Sequence, residues 1–92
     1  MPLTAKVTFE AVLEKGKRLQ IPKLIRWRFK MENGQALKVG VNFLGIHKSW
    51  QFFYTKMRKD GRITVPKLVL IVFGDEETRL AGHPLEVTLE PA

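Results

Sequence analysis

The sequence predicts a mainly β fold with two short helices: a closed six-stranded barrel with pseudo-two-fold symmetry, built from two β-β-α-β repeats. Three observations predict it. The first is a near-repetition. Lys15-Gly16-Lys17-Arg18-Leu19-Gln20-Ile21-Pro22-Lys23-Leu24-Ile25 returns 44 positions later as Lys59-Asp60-Gly61-Arg62-Ile63-Thr64-Val65-Pro66-Lys67-Leu68-Val69. The second is an apolar–polar alternation that opens and closes each copy, the period of a half-buried strand. The third is a glycine turn followed by a proline at matched places. The 92 residues make a single domain. Each copy alone, about 5–46 and 48–91, is too short to bury a core, whereas two can close one.

The elements follow in order. Val7, Phe9, Ala11 and Leu13 point one way, and Lys6, Thr8, Glu10 and Glu14 mostly the other, which makes a strand with one buried face. Lys15-Gly16-Lys17 and Lys59-Asp60-Gly61 are turns, because glycine tolerates positive φ. Short strands follow at Arg18–Ile21 and Arg62–Val65. Pro22 and Pro66 end them, since proline donates no N–H to a ladder and suits a helix start. The next segment supports two readings. Ile25-Arg26-Trp27-Arg28-Phe29-Lys30-Met31 alternates like a strand, and Leu68–Phe73 is rich in β-branched residues. Helical spacing competes, and the two prolines tip the expectation to helix. Gly34 and Gly82 mark a further turn. Beyond Phe73 the second copy carries four extra residues, so the offset becomes 48. Leu37, Val39, Val41 and Phe43 then alternate as a third strand, as do Leu85, Val87 and Leu89. The expected core is Val7, Phe9, Leu13, Leu19, Ile21, Leu37, Val39, Phe53, Ile63, Val65, Leu85 and Val87, arranged about a junction near Gly45–Ser49. Phe29 and Trp27, matched by Phe73 and Ile71, are expected in the core too.

Composition narrows the function. There is no cysteine, which excludes disulfides and thiolate metal sites and fits a cytoplasmic protein. No stretch is long and apolar enough for a membrane helix, and the N-terminus has no signal-peptide pattern. Asn and Gln are scarce, a weak sign of a heat-adapted source. The net charge is +7. It is uneven: residues 1–46 hold nine Lys/Arg and three Glu, and residues 47–92 hold seven Lys/Arg and six Asp/Glu. A pI near 10.1 favours polyanionic partners over a merely solubilising surface.

Three constellations stand out. Lys15, Lys17, Arg18, Lys23, Arg26, Arg28 and Lys30 crowd one turn and the element after it, where they could grip phosphates. Arg18 and Arg62 occupy matched places after the two turns, as functional cations or as structural ion-pair donors. Trp50, Phe52 and Tyr54 point away from Phe53, onto the face where the first copy has Lys6, Thr8 and Glu10. Cover by the chain itself, a dimer interface and base stacking are the readings of that stripe, in that order. Asp75-Glu76-Glu77 is an acidic loop or helix start. With one serine (Ser49), two histidines (His47, His83) and no glycine-rich phosphate loop, the chain is not expected to be an enzyme or to hold a metal or cofactor.

The pattern Gly/Lys-Arg-apolar-x-Ile/Val-Pro-Lys-x-Ile/Val, followed later by Gly-x-x-Leu-x-Val, resembles the AbrB/SpoVT swapped-hairpin family. That family lies within the cradle-loop barrels. The resemblance covers nearly the whole chain, once per copy. Single-copy members dimerise into a barrel and bind DNA as transition-state regulators or antitoxins, so this tandem is similar to a fused dimer. The strand order fits a RIFT-type barrel at least as well as a swapped hairpin. The chain also resembles a small archaeal tandem protein of this kind. The family's DNA-contacting arginines correspond here to Arg18, Arg62 and Arg26. Leu70 replaces Arg26 in the second copy, and Gln35 and His83 replace the family's acidic residue after the glycine.

The expected function is therefore DNA binding in transcription or chromatin, through the basic face of the first copy: Lys15, Lys17, Arg18, Lys23, Arg26, Arg28, Lys30 and Arg62. The alternative is a non-enzymatic module for an acidic protein or a small phosphorylated ligand. A monomer is expected from the duplication, with dimerisation through Trp50, Phe52 and Tyr54 as the other case.

Overall fold

A computed structural model describes residues 6–45, 49–74 and 80–92. The elements run β1 (Val7–Val12), β2 (Arg18–Gln20), α1 (Lys23–Arg28), β3 (Ala36–Phe43), β4 (Gln51–Lys56), β5 (Arg62–Thr64), α2 (Lys67–Val72) and β6 (Pro84–Pro91). Both segments after the prolines are helices, of six residues each, with Pro22 and Pro66 at their N-caps. The strand-like alternation around Trp27 is overridden there, because a proline-started turn needs no N–H from its first residue.

The strands form two antiparallel sheets, one of four strands in the order β1-β6-β3-β4 and one of two, β2-β5. The expected closed barrel, RIFT-type or otherwise, is thus corrected: the sheets are open. The reason lies in β2 and β5. Each is three residues long, each is stopped by proline, and their register pairs them with one another. Neither extends a ladder along β1 or β4, which remain the outer strands of the larger sheet. A lone bridge, Glu14 to Arg18, links β1's end to β2.

Ladder pairing runs between the copies throughout. β1 pairs β6, β4 pairs β3, β3 pairs β6 and β2 pairs β5. Exchanging each element with its counterpart leaves the strand order unchanged. The register obeys the same symmetry: Phe9 faces Val87 as Phe53 faces Val39. Two pairs are their own counterparts, Leu19 with Ile63 and Gly40 with Thr88. The pseudo-two-fold axis therefore passes through the ribbon at Leu19/Ile63 and through the sheet at Gly40/Thr88. Hydrogen bonds outside the ladders repeat about it. Ile21 N–H donates to Gly61 O (3.0 Å) and Val65 N–H to Lys17 O (2.7 Å). Gly82 N–H donates to Leu13 O (2.6 Å) and Gly34 N–H to Met57 O (2.7 Å).

The core lies between sheet and ribbon. Leu19, Ile21, Leu37, Val39, Ile63, Val65, Leu85 and Val87 are wholly inaccessible, and Leu13 and Phe53 are buried. Val7 and Phe9, expected with them, are only half-buried, although Phe53, the counterpart of Phe9 on the other edge strand, is buried. Val41, Phe43, Met57, Val69, Leu70, Phe73, Leu80 and Leu89 complete the core. The copies differ at their helices. α2 buries Val69 and Leu70, and Phe73 packs edge-on against Phe43 with centroids 4.9 Å apart. α1 buries no residue fully, and Phe29 is half-buried. Trp27, expected in the core, is 79% exposed. A six-residue helix turns only one side inward, and Ile25 takes that place in α1. No helix is long and apolar enough to cross a membrane among the described residues.

Candidate nucleic-acid interface

Leu19 and Ile63 turn inward on the ribbon, so Arg18 beside Thr64 and Gln20 beside Arg62 face outward. The two turns flank this surface, because each carbonyl bond just described ties one turn to the other copy's proline segment. Backbone symmetry thus gathers Lys15, Lys17 and Arg18 with their counterparts Lys59 and Arg62 at one end of the molecule, away from the four-stranded sheet.

The electrostatics break that symmetry. Arg62 Nε donates to Glu14 Oε1 at 2.7 Å, and Arg62 Nη1 to Asp60 Oδ2 at 3.1 Å. Asp60 Oδ1 also accepts the Arg62 backbone N–H at 3.1 Å. That backbone bond, with the guanidinium beside it, holds the Asp60 carboxyl below its usual 3.8. The Arg62 guanidinium is pushed upward, first by Glu14 and then by Asp60. Arg62 therefore stands as a structural ion-pair donor. Arg18 has Gly16 where Arg62 has Asp60, and its guanidinium folds toward that glycine. It is exposed, and among the described residues no carboxylate lies within salt-bridge distance of it.

The other expected site residues divide in the same way. Arg26 is half-buried; its Nε donates to Ile21 O at 3.0 Å and its side chain lies across Gly61. It clamps the second turn to the ribbon. The Arg28 guanidinium sits 5.7 Å from the Phe29 ring centre. Lys15, Lys17, Lys23 and Lys30 are exposed. Beside α1 lies an open groove lined by Arg26, Trp27, Arg28, Lys30, Met31 and Glu32. Trp27 is the surface residue that sequence reasoning missed. The available signal was its position between two arginines, which outweighs its match to Ile71, itself 44% exposed.

Lys17 and Lys30 carry positive φ, 61° and 51°. Their counterparts are Gly61 and Gly74, at 80° and 87°. The first copy thus holds lysine at two left-handed positions where the second holds glycine, a backbone conformation that side chains disfavour.

The remaining candidates fall elsewhere. Phe52 and Tyr54 are 52% and 70% exposed, so the described chain leaves the aromatic stripe uncovered where self-cover was expected. Trp50 is half-buried and stacks on Phe52 at 6.5 Å. A ring nitrogen of His83 lies 2.9 Å from Leu44 O, and the ring packs on Phe43. His47 and Asp75-Glu76-Glu77 lie outside the described residues.

No family model matches the chain, and no curated protein does. Among solved structures, the fold is similar to the solution structure of PHS018 from Pyrococcus horikoshii, with a TM-score of 0.77 and 23% identity. The match covers 99% of this chain and 94% of that one. At that identity the likeness is one of fold: two interleaved copies making a four-stranded sheet and a two-stranded ribbon.

Proposed function

We propose that the protein binds duplex DNA through the outer face of the β2–β5 ribbon, with the first-copy turn and α1 supplying most of the phosphate contacts. The observation that carries this reading is the pair of left-handed lysines. Lys17 and Lys30 each sit where glycine would relax the backbone, and each keeps an exposed cation there. Strain retained at a surface position points to a use for the side chain. Exposed Lys15, Arg18 and Lys23 extend the same surface, and Trp27 offers a flat apolar side chain beside it. The resemblance to AbrB/SpoVT proteins points to the same ribbon. The second copy contributes less, because Asp60 and Glu14 already neutralise Arg62.

The test is a titration of fluorescent duplex DNA by anisotropy at several salt concentrations. Affinity should fall linearly on a log–log salt plot, with a slope of roughly −0.9 per phosphate neutralised. Arg18→Ala should flatten that slope by about one contact, while Arg62→Ala should leave it nearly unchanged. Absence of binding at low salt would discard the reading.

A further inference from the structure

The outer face of the four-stranded sheet, on the far side of the core from the ribbon, is divided along the pseudo-dyad. The half made by β3 and β4 carries Trp50, Phe52 and Tyr54, with Lys38 Nζ 5.1 Å from the Phe52 ring centre. Its charges are Lys38 and Lys56. The half made by β1 and β6 has the counterparts of those residues and the opposite character: Thr8 for Phe52, Glu10 for Tyr54 and Glu86 for Lys38. Glu90 joins them, with Lys6 at one margin and the exposed Val12, the counterpart of Lys56, at the other. The face is therefore apolar and cationic on one side and hydroxylic and anionic on the other, while the chain as a whole is strongly basic. A free nucleic-acid strand stacking on the aromatics would have to lie beside three glutamates.

We infer that this face pairs with the same face of a second copy, about a two-fold axis parallel to the strands and running between Gly40 and Thr88. That rotation lays the β3–β4 half of one copy on the β1–β6 half of the other. The register then sets the contacts. Tyr54, Lys38 and Glu90 form one row across the sheet, and Phe52, Gly40, Thr88 and Thr8 the next. Lys38 of each copy meets Glu90 of the other, and Phe52 meets Thr8. Strands of the two sheets run nearly aligned, a usual packing for facing sheets. The competing arrangement turns the axis across the strands and lays aromatic on aromatic. It also sets Glu86 of each copy against Glu90 of the other, twice, in a desolvated interface where like charges repel strongly. The contact is isologous, as closed dimers require. It leaves both basic ribbons facing outward, since the ribbon and this face lie on opposite sides of the core.

Sedimentation velocity of the full chain, from low micromolar toward millimolar concentration, tests the inference. Wild type should move from monomer to dimer with concentration. Lys38→Glu alone sets carboxylate against carboxylate at both symmetry-related contacts. Glu90→Lys alone sets ammonium against ammonium at the same two places. Each single variant should weaken dimerisation at least tenfold. An equimolar mixture of the two variants should regain it through the mixed dimer, in which both contacts again join opposite charges, and the double variant K38E/E90K in one chain should dimerise like wild type. That double variant also guards against a single variant that fails to fold. A wild type that stays monomeric throughout overturns the inference. So does a double variant no tighter than the single ones, which would indicate the across-strand arrangement or a different surface.

Discussion

The two turns of the duplicated motif share a backbone and differ in charge. Lys15-Gly16-Lys17 precedes Arg18, and Lys59-Asp60-Gly61 precedes Arg62. Both carry the same cross-copy carbonyl bonds, and both enter a three-residue strand of one ribbon. In the second, Asp60 grips its arginine through backbone and side chain, and Glu14 adds a third contact. In the first, the matched position is Gly16 and the arginine is left to solvent. Glu14 comes from the first copy, yet its counterpart in the second is Arg58, so nothing equivalent reaches Arg18. Symmetry of the backbone is thus maintained by hydrogen bonds that any sequence could make. Symmetry of the surface is lost by two side-chain exchanges. The lesson is that a fused repeat frees one copy to hold the fold's ion pairs while the other keeps its cations available.

The comparison should vanish in the core, where the axis makes the copies equivalent. Leu19 and Ile63 face one another across the ribbon and are both wholly buried. Leu19→Ala and Ile63→Ala should each cost about 2–5 kcal/mol in urea unfolding, and should cost nearly the same. Because they touch the same neighbours, the double variant should lose less than the two losses added. A large inequality would mean that the ribbon is supported from one side only.

It should reappear at the helices. Phe73→Ala removes a buried ring packed edge-on to Phe43 and should cost about 3–5 kcal/mol. Phe29→Ala removes a half-buried ring and should cost about 1–2 kcal/mol. Equal losses would show that α1 is seated as deeply as α2.

How much of this was legible follows the same division. The strands, turns and prolines could be read because period, glycine and proline act locally. The helices could be read only through the prolines, against the alternation at Trp27. The open sheets were not legible, because closure depends on which partner β2 chooses, and strand length decides that. Trp27 was misplaced inside by matching it to Ile71, since a repeat conserves the fold and not the exposure of every position. The basic residues were legible as a set. Their partners were not: Arg26 bonded to Ile21 O and Arg62 bonded to Glu14 depend on contacts between elements distant in sequence.

The left-handed lysines sharpen the contrast further. Lys17→Gly and Lys30→Gly each copy the second repeat's residue into the first. Each should stabilise by up to about 1 kcal/mol, read from the urea midpoint, by relieving a positive φ. Each should also weaken DNA binding by the loss of one cation. Stability and affinity moving in opposite directions would be the signature of strain kept for function. A destabilised Lys17→Gly would instead mean that the lysine stem packs usefully on the turn.

The smallest effect expected is one of pH, and it belongs to the second copy alone. Asp60 is exposed, so its contribution to stability is slight and screened. Its sign is nevertheless fixed. The Arg62 backbone N–H and guanidinium favour the charged carboxylate, so the folded value lies below the ordinary 3.8. A carboxyl bound more weakly to its proton in the folded chain stabilises that chain above the ordinary value. The contribution fades as pH falls through the folded value. Wild type should therefore be slightly more stable than Asp60→Asn near neutrality, and the gap between their urea midpoints should close below about pH 4. Gly16→Asn, at the matched place, should show no such closing, because no ion pair exists there to lose. If the Asp60→Asn gap persisted unchanged into acid, the aspartate would be acting through the backbone geometry of its turn, and the charge contrast between the two copies would matter for binding alone.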